Sequence, residues 1–404
     1  MDRSNETSTL TQAKAAFSRA NSPPTAGESA QYQPSAPSIQ AVRQAPINPN
    51  HWYAVALSTE LTEQPLGVTL WGQPIVLYRP QQKNQQSSYN QNFSPPASPS
   101  PPSPSAPKIQ ALEDRCPHRQ VRLSHGQVQG DHIECIYHGW QFDGTGSCTN
   151  VPYLTPQQRL PSCRLRTYPV REQNGFIWIF PGDVARLETE PIEPLPIPEW
   201  KHLNYIASVA TIDVNAHFSF LIENLMDMYH GRLHDDLQAW ANPVLQTIDQ
   251  SPTHIDAHYA AETYYKIDKI WSVSQLFFPA LRQLRPTHLD VSYLYPHWRS
   301  VLGQDFKIYC LFCPVSPTQT KAYLLHFTSL NAFHRLHKLP VWFRRFIKNS
   351  LFNSAQGLLD GLVRQDVLMM EDEQKAFETA PEQKGPEFNP VISKVQQLIT
   401  AQAK

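Results

Sequence analysis

Three things are scarce in this 404-residue sequence: charge imbalance, cysteine and long apolar runs. Lysine plus arginine number 34 against 35 aspartate plus glutamate, a formal net charge of -1. That balance advertises no nucleic-acid or anionic-membrane partner. Six cysteines are too few for a secreted disulfide framework in a chain this long, which favours a reducing compartment. No uninterrupted apolar stretch approaches the ~20 residues that span a bilayer, and the N-terminus lacks the apolar core of a secretory signal peptide. A cytoplasmic location is the resulting expectation. The alternative is an organellar transit peptide in the first 45 residues, which are rich in Ser, Thr, Ala and Gln; Asp2, Glu6 and Glu28 count against it. There is no glycine-rich dinucleotide fingerprint and no second ferredoxin motif.

What the sequence does contain is Cys116-Pro117-His118, then Cys135-Ile136-Tyr137-His138-Gly139-Trp140. Cysteine and histidine in the order Cys-x-His and Cys-x-x-His suit a [2Fe-2S] cluster, two thiolates holding one iron and two imidazoles the other. Imidazole ligation raises the reduction potential above that of an all-cysteine centre, so the chain is expected to pass single electrons. Structural zinc uses the same ligand types, but zinc fingers arrange them as Cys-x-x-Cys and His-x-x-x-His rather than as two mixed loops. The other cysteines are Cys148, Cys163, Cys310 and Cys313. The last two form a Cys-x-x-Cys within a run of strand formers, where residues three apart face opposite ways; buried core thiols are expected there, not a redox or metal pair.

Glu223, Asp227, His230 and His234 are spaced i, i+4, i+7, i+11, which places two carboxylates and two histidines along one helical stripe. Such a stripe is usually a solvated face. Here Leu221, Ile222, Leu225 and Met226 surround it with apolar neighbours, and the histidines stand one turn apart, as metal ligands often do. Two histidines and one carboxylate with positions left open form an oxygen-activating non-haem Fe(II) site; the carboxylate would come from elsewhere in the chain.

Cys116-Pro117-His118-Arg119 and Cys135-x-x-His138-Gly139-Trp140-x-Phe142-x-x-x-Gly146 resemble the Rieske domain of the Rieske non-haem iron oxygenases. Near-matches follow in Asn174-Gly175-Phe176-Ile177-Trp178-Ile179-Phe180-Pro181-Gly182 and in Glu223-Asn224-x-x-Asp227-x-x-His230. The resemblance spans roughly residues 46–380; the nearest-looking branches are the chlorophyllide a/pheophorbide a oxygenase-like and vanillate O-demethylase-like enzymes. It implies a Rieske [2Fe-2S] cluster on Cys116, His118, Cys135 and His138. It also implies a mononuclear Fe(II) on His230, His234 and an acid from Gln365-Asp366-x-x-x-x-Glu371-Asp372. Asp366 is the expected ligand, with Glu371 and Asp372 as alternatives. Asn224 resembles the family asparagine close to the iron. For Asp227 the resemblance implies a hydrogen-bonded bridge from an iron-site histidine to a cluster histidine of a neighbouring subunit, and hence a homotrimer. The family usually places four residues between the iron histidines, whereas His230 and His234 have three between them; an i,i+4 pair can still chelate one metal.

The expected fold is α+β, an N-terminal antiparallel β Rieske domain followed by a catalytic domain of helices on an antiparallel sheet. Residues 1–45 read as a disordered leader and 46–185 as the Rieske domain. That domain is interrupted at 80–108 by a low-complexity insertion of Gln, Ser, Asn and Pro. Residues 186–199 form a proline-dense connector that reads as a semi-rigid spacer, and 200–382 the iron domain. A tail at 383–404 carries a short helix. Aromatic and basic residues mix at 341–348, as in an interfacial helix, so peripheral membrane contact stands beside docking of that helix on its own domain.

The function implied is an oxygenase component that takes electrons from a separate ferredoxin or reductase. It would use O2 to hydroxylate or oxidatively demethylate a small organic substrate, aromatic or pigment-like. The rival is a Rieske electron carrier with a non-catalytic second domain. Because strand character resumes directly before Cys116, the insertion reads as a loop within one domain, cheap in closure entropy when its ends meet. Deleting residues 82–106 is expected to leave the visible [2Fe-2S] spectrum intact; its loss would contradict the insertion reading.

Overall fold

Short strand-forming runs separated by turn residues build three small antiparallel sheets in the first half of the chain. The structure, a computed structural model, describes residues 37–81, 108–237, 239–264, 283–332, 363–383 and 385–404, with the single positions 281, 340, 342 and 361. Tyr53–Leu57 pairs with Phe176–Ile179, which pairs with Val170–Gln173. The last two strands meet at an Asn174-Gly175 turn with φ of 53° and 76°, the doubly left-handed turn that matches hairpin twist. A second sheet joins Leu66–Leu70, Gln73–Tyr78 and Gln110–Glu113; a third joins Gln127–Gln129, His132–Glu134, Gln141–Phe142 and Cys148–Asn150. Tyr78 lies opposite Gln110, so the strands flanking the insertion are direct neighbours. The insertion itself, at 82–107, lies outside the described residues.

The second half is a seven-stranded antiparallel sheet. Its order is Tyr205–Val214, Gln319–Ser329, Phe306–Ser316, His297–Leu302, Arg285–Leu294, His254–Thr263, Trp240–Gln250. Alternation divides its faces: Ala210, Ile212 and Val214 join one core while Tyr205, Ala207 and Val209 join the other. This order has a topological consequence. The chain leaves the first strand at one edge and re-enters at the opposite edge, so residues 215–239 must cross the sheet. That crossing carries Asn224, Asp227, His230 and His234. The Phe218–Met226 helix buries Phe218, Phe220, Leu221, Ile222 and Met226, and the Pro390–Gln402 helix buries Val391, Ile392, Val395, Leu398 and Ile399 in the same core. The architecture is the expected α+β arrangement of helices on antiparallel sheet.

Three sequence expectations need correction. The leader was expected to reach residue 45, but Ile39–Arg43 is a helix with Val42 fully buried; residues 1–36 lie outside the described residues. Arg43 is the reason. Its guanidinium binds both carboxylate oxygens of Glu223 at 2.8 and 2.7 Å and Ser219 Oγ at 2.8 Å. Leaving that buried carboxylate unpaired would cost about 3–5 kcal/mol. Second, the helical stripe through Glu223, Asp227, His230 and His234 does not exist as one helix. The α-helix ends at Met226, Asp227 is extended at φ -90°, ψ 96°, and Met228–Leu237 is a 3-10 segment. Asp227 breaks the helix because its Oδ1 accepts from the Tyr229 backbone N–H at 2.9 Å, a local bond that competes with the helical ladder. Third, the connector, read as a semi-rigid spacer, is packed down on its neighbours. The Trp52 indole donates to the Ile192 carbonyl at 2.7 Å, Ile197 is buried, and Glu199, 4% exposed, accepts from Lys307 at 2.5 Å and Tyr309 at 2.9 Å. The C-terminal tail carries the short helix expected of it, docked into the core by Val391, Ile392, Val395, Leu398 and Ile399. The proposed interfacial segment at 341–348 lies outside the described residues apart from Trp342.

Two buried histidines hold the N-terminal segment to the seven-stranded sheet and its crossing helix, and both are neutral by hydrogen-bond logic. The Phe312 N–H donates to His297 Nδ1 at 3.1 Å while Nε2–H donates to the Trp52 carbonyl at 2.9 Å. Ser219 N–H donates to His217 Nδ1 at 3.2 Å and Nε2–H donates to the Ala45 carbonyl at 3.0 Å. Burial lowers His217 to about 4 and His297 to about 3 from an ordinary 6.5. The unfolded chain therefore takes up protons near pH 6.5 that the native chain refuses. This contribution to stability is full above pH 6.5 and shrinks as the pH falls from there toward 4, by about 2 kcal/mol per histidine at pH 5. The melting temperature should drop between pH 7 and pH 5, less steeply in His297→Gln; a flat profile would contradict the neutral buried pair.

Candidate metal centres

The two cluster loops are built alike. Cys116 N–H donates to the Val121 carbonyl and Cys135 N–H to the Trp140 carbonyl; Gln120 N–H returns to the Cys116 carbonyl and Gly139 N–H to the Cys135 carbonyl, all at 2.8–3.0 Å. Each loop turns through a positive φ four residues after its cysteine, 60° at Gln120 and 68° at Gly139. Gln120 tolerates that φ in the first loop, but at Gly139 a Cβ would also meet Pro152 Cγ at 2.9 Å, which favours glycine there. Cys116 and Cys135 are each 1% exposed and rest on Leu123, Ile133 and Phe142. The two histidines lie at the loop tips, ring centroids 4.5 Å apart. The Trp140 ring stacks on His118 at 4.8 Å and 8°, and its Nε1–H donates to Tyr153 OH at 2.7 Å.

This donor set fits a [2Fe-2S] cluster on two counts. His118 Nδ1 is buried without a hydrogen-bond partner among the described residues, an orphan that metal ligation would satisfy. Burial, with Cys135 alongside, pushes the Cys116 thiol up to about 11, so the proton it keeps in the metal-free chain must leave when a cluster is built. Cys310 and Cys313 are buried at 0% and 2%, with burial pushing the Cys313 thiol up to about 12; they are unreactive core residues.

The second centre draws on two elements far apart in sequence. His230 and His234 come from the 3-10 segment after the crossing helix, and Asp366 from the helix at 363–379. One ligand atom from each lies within 4.8 Å of the others. Asp366 Oδ1 is 3.8 Å from His230 Nε2 and 3.3 Å from His234 Nε2. The outer ring nitrogens are held away from that point: His230 Nδ1 against the Asp227 carbonyl oxygen, His234 Nδ1 donating to Gln365 Oε1 at 3.0 Å. Acceptors on both Nδ1 atoms fix the tautomer, so both Nε2 lone pairs face the carboxylate, the way supporting hydrogen bonds orient metal-ligating histidines. Asn224 Nδ2 donates to Asp366 Oδ1 at 3.3 Å.

Acceptors facing one another need a cation. Burial alone would lower His234, but the hydrogen bond and charge of Asp366, with Gln365 behind, carry it above its ordinary value. Two imidazoles and one carboxylate on one side suit Fe(II). Glu223 is not among the converging atoms, being tied to Arg43. The alternative acids are engaged elsewhere, Glu371 with Asn215 at 2.8 and 3.0 Å and Asp372 with Lys375 at 3.1 Å. Asp227 contributes its carbonyl to His230, while its carboxylate accepts from Tyr229 and from Asn389 Nδ2 at 3.0 Å. Sequence reasoning did not find Arg43, Asn389 or a role for Gln365. A lone arginine at the end of a short apolar run and an Asn-Pro pair ahead of an apolar stripe were the available signals.

The Rieske [2Fe-2S] domain family matches residues 51–169. The chain is 30% identical over 379 residues to the 4beta-methylsterol monooxygenase of Methylococcus capsulatus, covering 90% of this chain and 91% of that one. It is 33% identical over 183 residues to the oxygenase component of dicamba O-demethylase from Stenotrophomonas maltophilia, covering 45% of this chain and 46% of the relative. Crystal structures of dicamba monooxygenase share the fold. The one bound to 3,6 dichlorosalicylic acid aligns with a TM-score of 0.65 at 20% identity, over 89% of this chain and 98% of that one. With a relative matched along nearly its whole length, a Rieske domain in the first half and a fold shared across both, the chain belongs to the Rieske non-haem iron oxygenases.

Proposed function

We propose that Cys116, His118, Cys135 and His138 hold the [2Fe-2S] cluster of this oxygenase component, and that His230, His234 and Asp366 hold its mononuclear iron. The convergence of His230 and His234 on Asp366 carries this reading, since a pure electron carrier has no use for a second site with three ligands on one side. When bound, the cluster supplies single electrons and the Fe(II), with positions left open, supplies dioxygen activation. The protein's own work is orientation. Gln365 and the Asp227 carbonyl hold the two imidazoles, Asn224 steadies the Asp366 carboxylate, and Trp140 covers one face of His118. In this reading the cluster domain covers about 46–185 and the iron domain begins near 200.

A separate ferredoxin or reductase supplies the electrons, and the substrate is a small organic molecule. The relatives named 4beta-methylsterol monooxygenase and dicamba O-demethylase both point to a methyl-bearing substrate, and we extend that class to this chain. Among the described residues no helix is long and apolar enough to cross a membrane. The compartment we favour is the cytoplasm; relatives named chloroplastic, TIC 55 and chlorophyllide a oxygenase, make an organellar stroma the second choice.

The active assembly in this reading is a homotrimer, in which Asp227 of one subunit meets a cluster histidine of the next. Ile136 and Tyr137, 70% and 59% exposed beside His138, support it, because large apolar side chains at a cluster tip suit a partner surface. Light scattering should give the mass of three chains, and Ile136→Asp should give single chains; a monomeric parent protein contradicts the trimer. For the iron site, elemental analysis should find about three irons per chain in the parent and about two in His234→Ala, with the cluster spectrum unchanged. Two irons in both, or three in both, would contradict the assignment.

A further inference from the structure

The start of the C-terminal helix touches the iron domain at one carboxylate. Asn389 is 7% exposed and stands immediately before the Pro390–Gln402 helix. Its side chain does two separate things with its two ends. Oδ1 accepts from the Val391 backbone N–H at 3.0 Å, which caps the helix, while Nδ2 donates to Asp227 Oδ1 at 3.0 Å. Asp227 Oδ1 also accepts from Tyr229 N–H at 2.9 Å. One oxygen of that carboxylate thus holds two donors. The other, Oδ2, makes no hydrogen bond among the described residues and keeps its capacity for a further donor.

The anchor is rigid. Val391, Ile392, Val395, Leu398 and Ile399 are each at most 3% exposed. The same helix reaches Glu223 through Gln396 Nε2 at 3.4 Å. It therefore grips the crossing segment at both positions 223 and 227, on either side of Asn224.

We propose that Asn389 is a positioning residue for the Asp227 carboxylate, pinning Oδ1 so that Oδ2 faces the incoming cluster histidine. This rests on the bridging role proposed for Asp227 and adds the group that sets its orientation. A carboxylate held by Tyr229 N–H alone can turn about its terminal torsion; with His230 already held by the Asp227 backbone carbonyl, it is the free Oδ2 that must be aimed. No bond at Asn389 forms or breaks; its effect is on how readily an electron leaves the cluster for the iron.

The two ends of Asn389 allow cap and positioning to be separated. Asn389→Ser and Asn389→Asp both keep a good N-cap and both lose the donor to Asp227. The full-length protein, loaded with both centres and reduced anaerobically with dithionite, is mixed with air-saturated buffer without added organic substrate. The visible band then reports cluster reoxidation, and protein stripped of the mononuclear iron supplies the background to subtract. Asn389→Ser and Asn389→Asp should slow the iron-dependent reoxidation by about tenfold or more, as should Asp227→Asn, with melting temperature and iron content at parental values. Parental rates in both Asn389 variants while Asp227→Asn is slow would overturn this inference and leave the bridge standing. A parental rate in Asp227→Asn would remove the bridge itself. A slow rate that merely follows lost iron or a lowered melting temperature in both Asn389 variants would make Asn389 a structural cap and overturn the positioning role.

Discussion

The interaction on which the structure turns is the approach of two imidazole nitrogens to one carboxylate oxygen, Asp366 Oδ1. Left to itself such a cluster is poorly balanced, since the Nε2 lone pairs and the carboxylate all want a positive partner. The fold spends several contacts keeping it assembled. The crossing helix and the helix carrying Asp366 are tied at the base of the site, where His217 N–H donates to Gln374 Oε1 at 3.0 Å and Asn215 donates twice to Glu371. Arg43, from the N-terminal segment, neutralises Glu223 one turn ahead of Asp227. The C-terminal helix closes on the same segment at Asp227 and Glu223. The first described segment and the C-terminal helix therefore both hold one short stretch in place.

The topology explains why these ties are needed. A crossing from one edge of a seven-stranded sheet to the other has no ladder partner of its own, and after Met226 it is not α-helical. A 3-10 segment has poorer hydrogen-bond geometry than an α-helix and is used in short pieces. Here the irregularity lets the Asp227 carbonyl reach His230 Nδ1, which an unbroken helix would have kept in its own ladder. At the proposed cluster site the solution differs: two hairpin-like loops carry Cys116, His118, Cys135 and His138 on short backbone rings, and the cysteines sit on a small apolar core. Precision comes from local geometry at the cluster and from long-range ties at the iron.

That contrast also accounts for what the sequence made legible. The cluster ligands lie within two short motifs whose order alone separates iron–sulfur from zinc, and Gly139 carries the backbone requirement in plain view. The run of strand formers around Cys310 and Cys313 announced a buried strand. His230 and His234 were visible as a pair, but spacing by i, i+4 presumes a continuous helix. It therefore counted Glu223 into a stripe that Asp227 interrupts, and nothing in the residue pattern shows that Glu223 is the partner of Arg43, 180 positions away. Asp366 needed the family resemblance, because an acidic run offers Glu371 and Asp372 equally. Asn389 sat in what reads as a tail, and a cap that also reaches another element cannot be told from an ordinary cap by sequence.

The central claim is that His230, His234 and Asp366 hold an iron with open positions, distinct from the cluster. Electron paramagnetic resonance of the reduced protein under nitric oxide tests it most directly, since only an iron with a free position binds that gas. The account predicts a high-spin iron–nitrosyl signal beside an unaltered Rieske signal, with the nitrosyl signal abolished in Asp366→Ala while the Rieske signal remains. A parent protein that shows the Rieske signal alone, or an Asp366→Ala protein that keeps the nitrosyl signal, would contradict it.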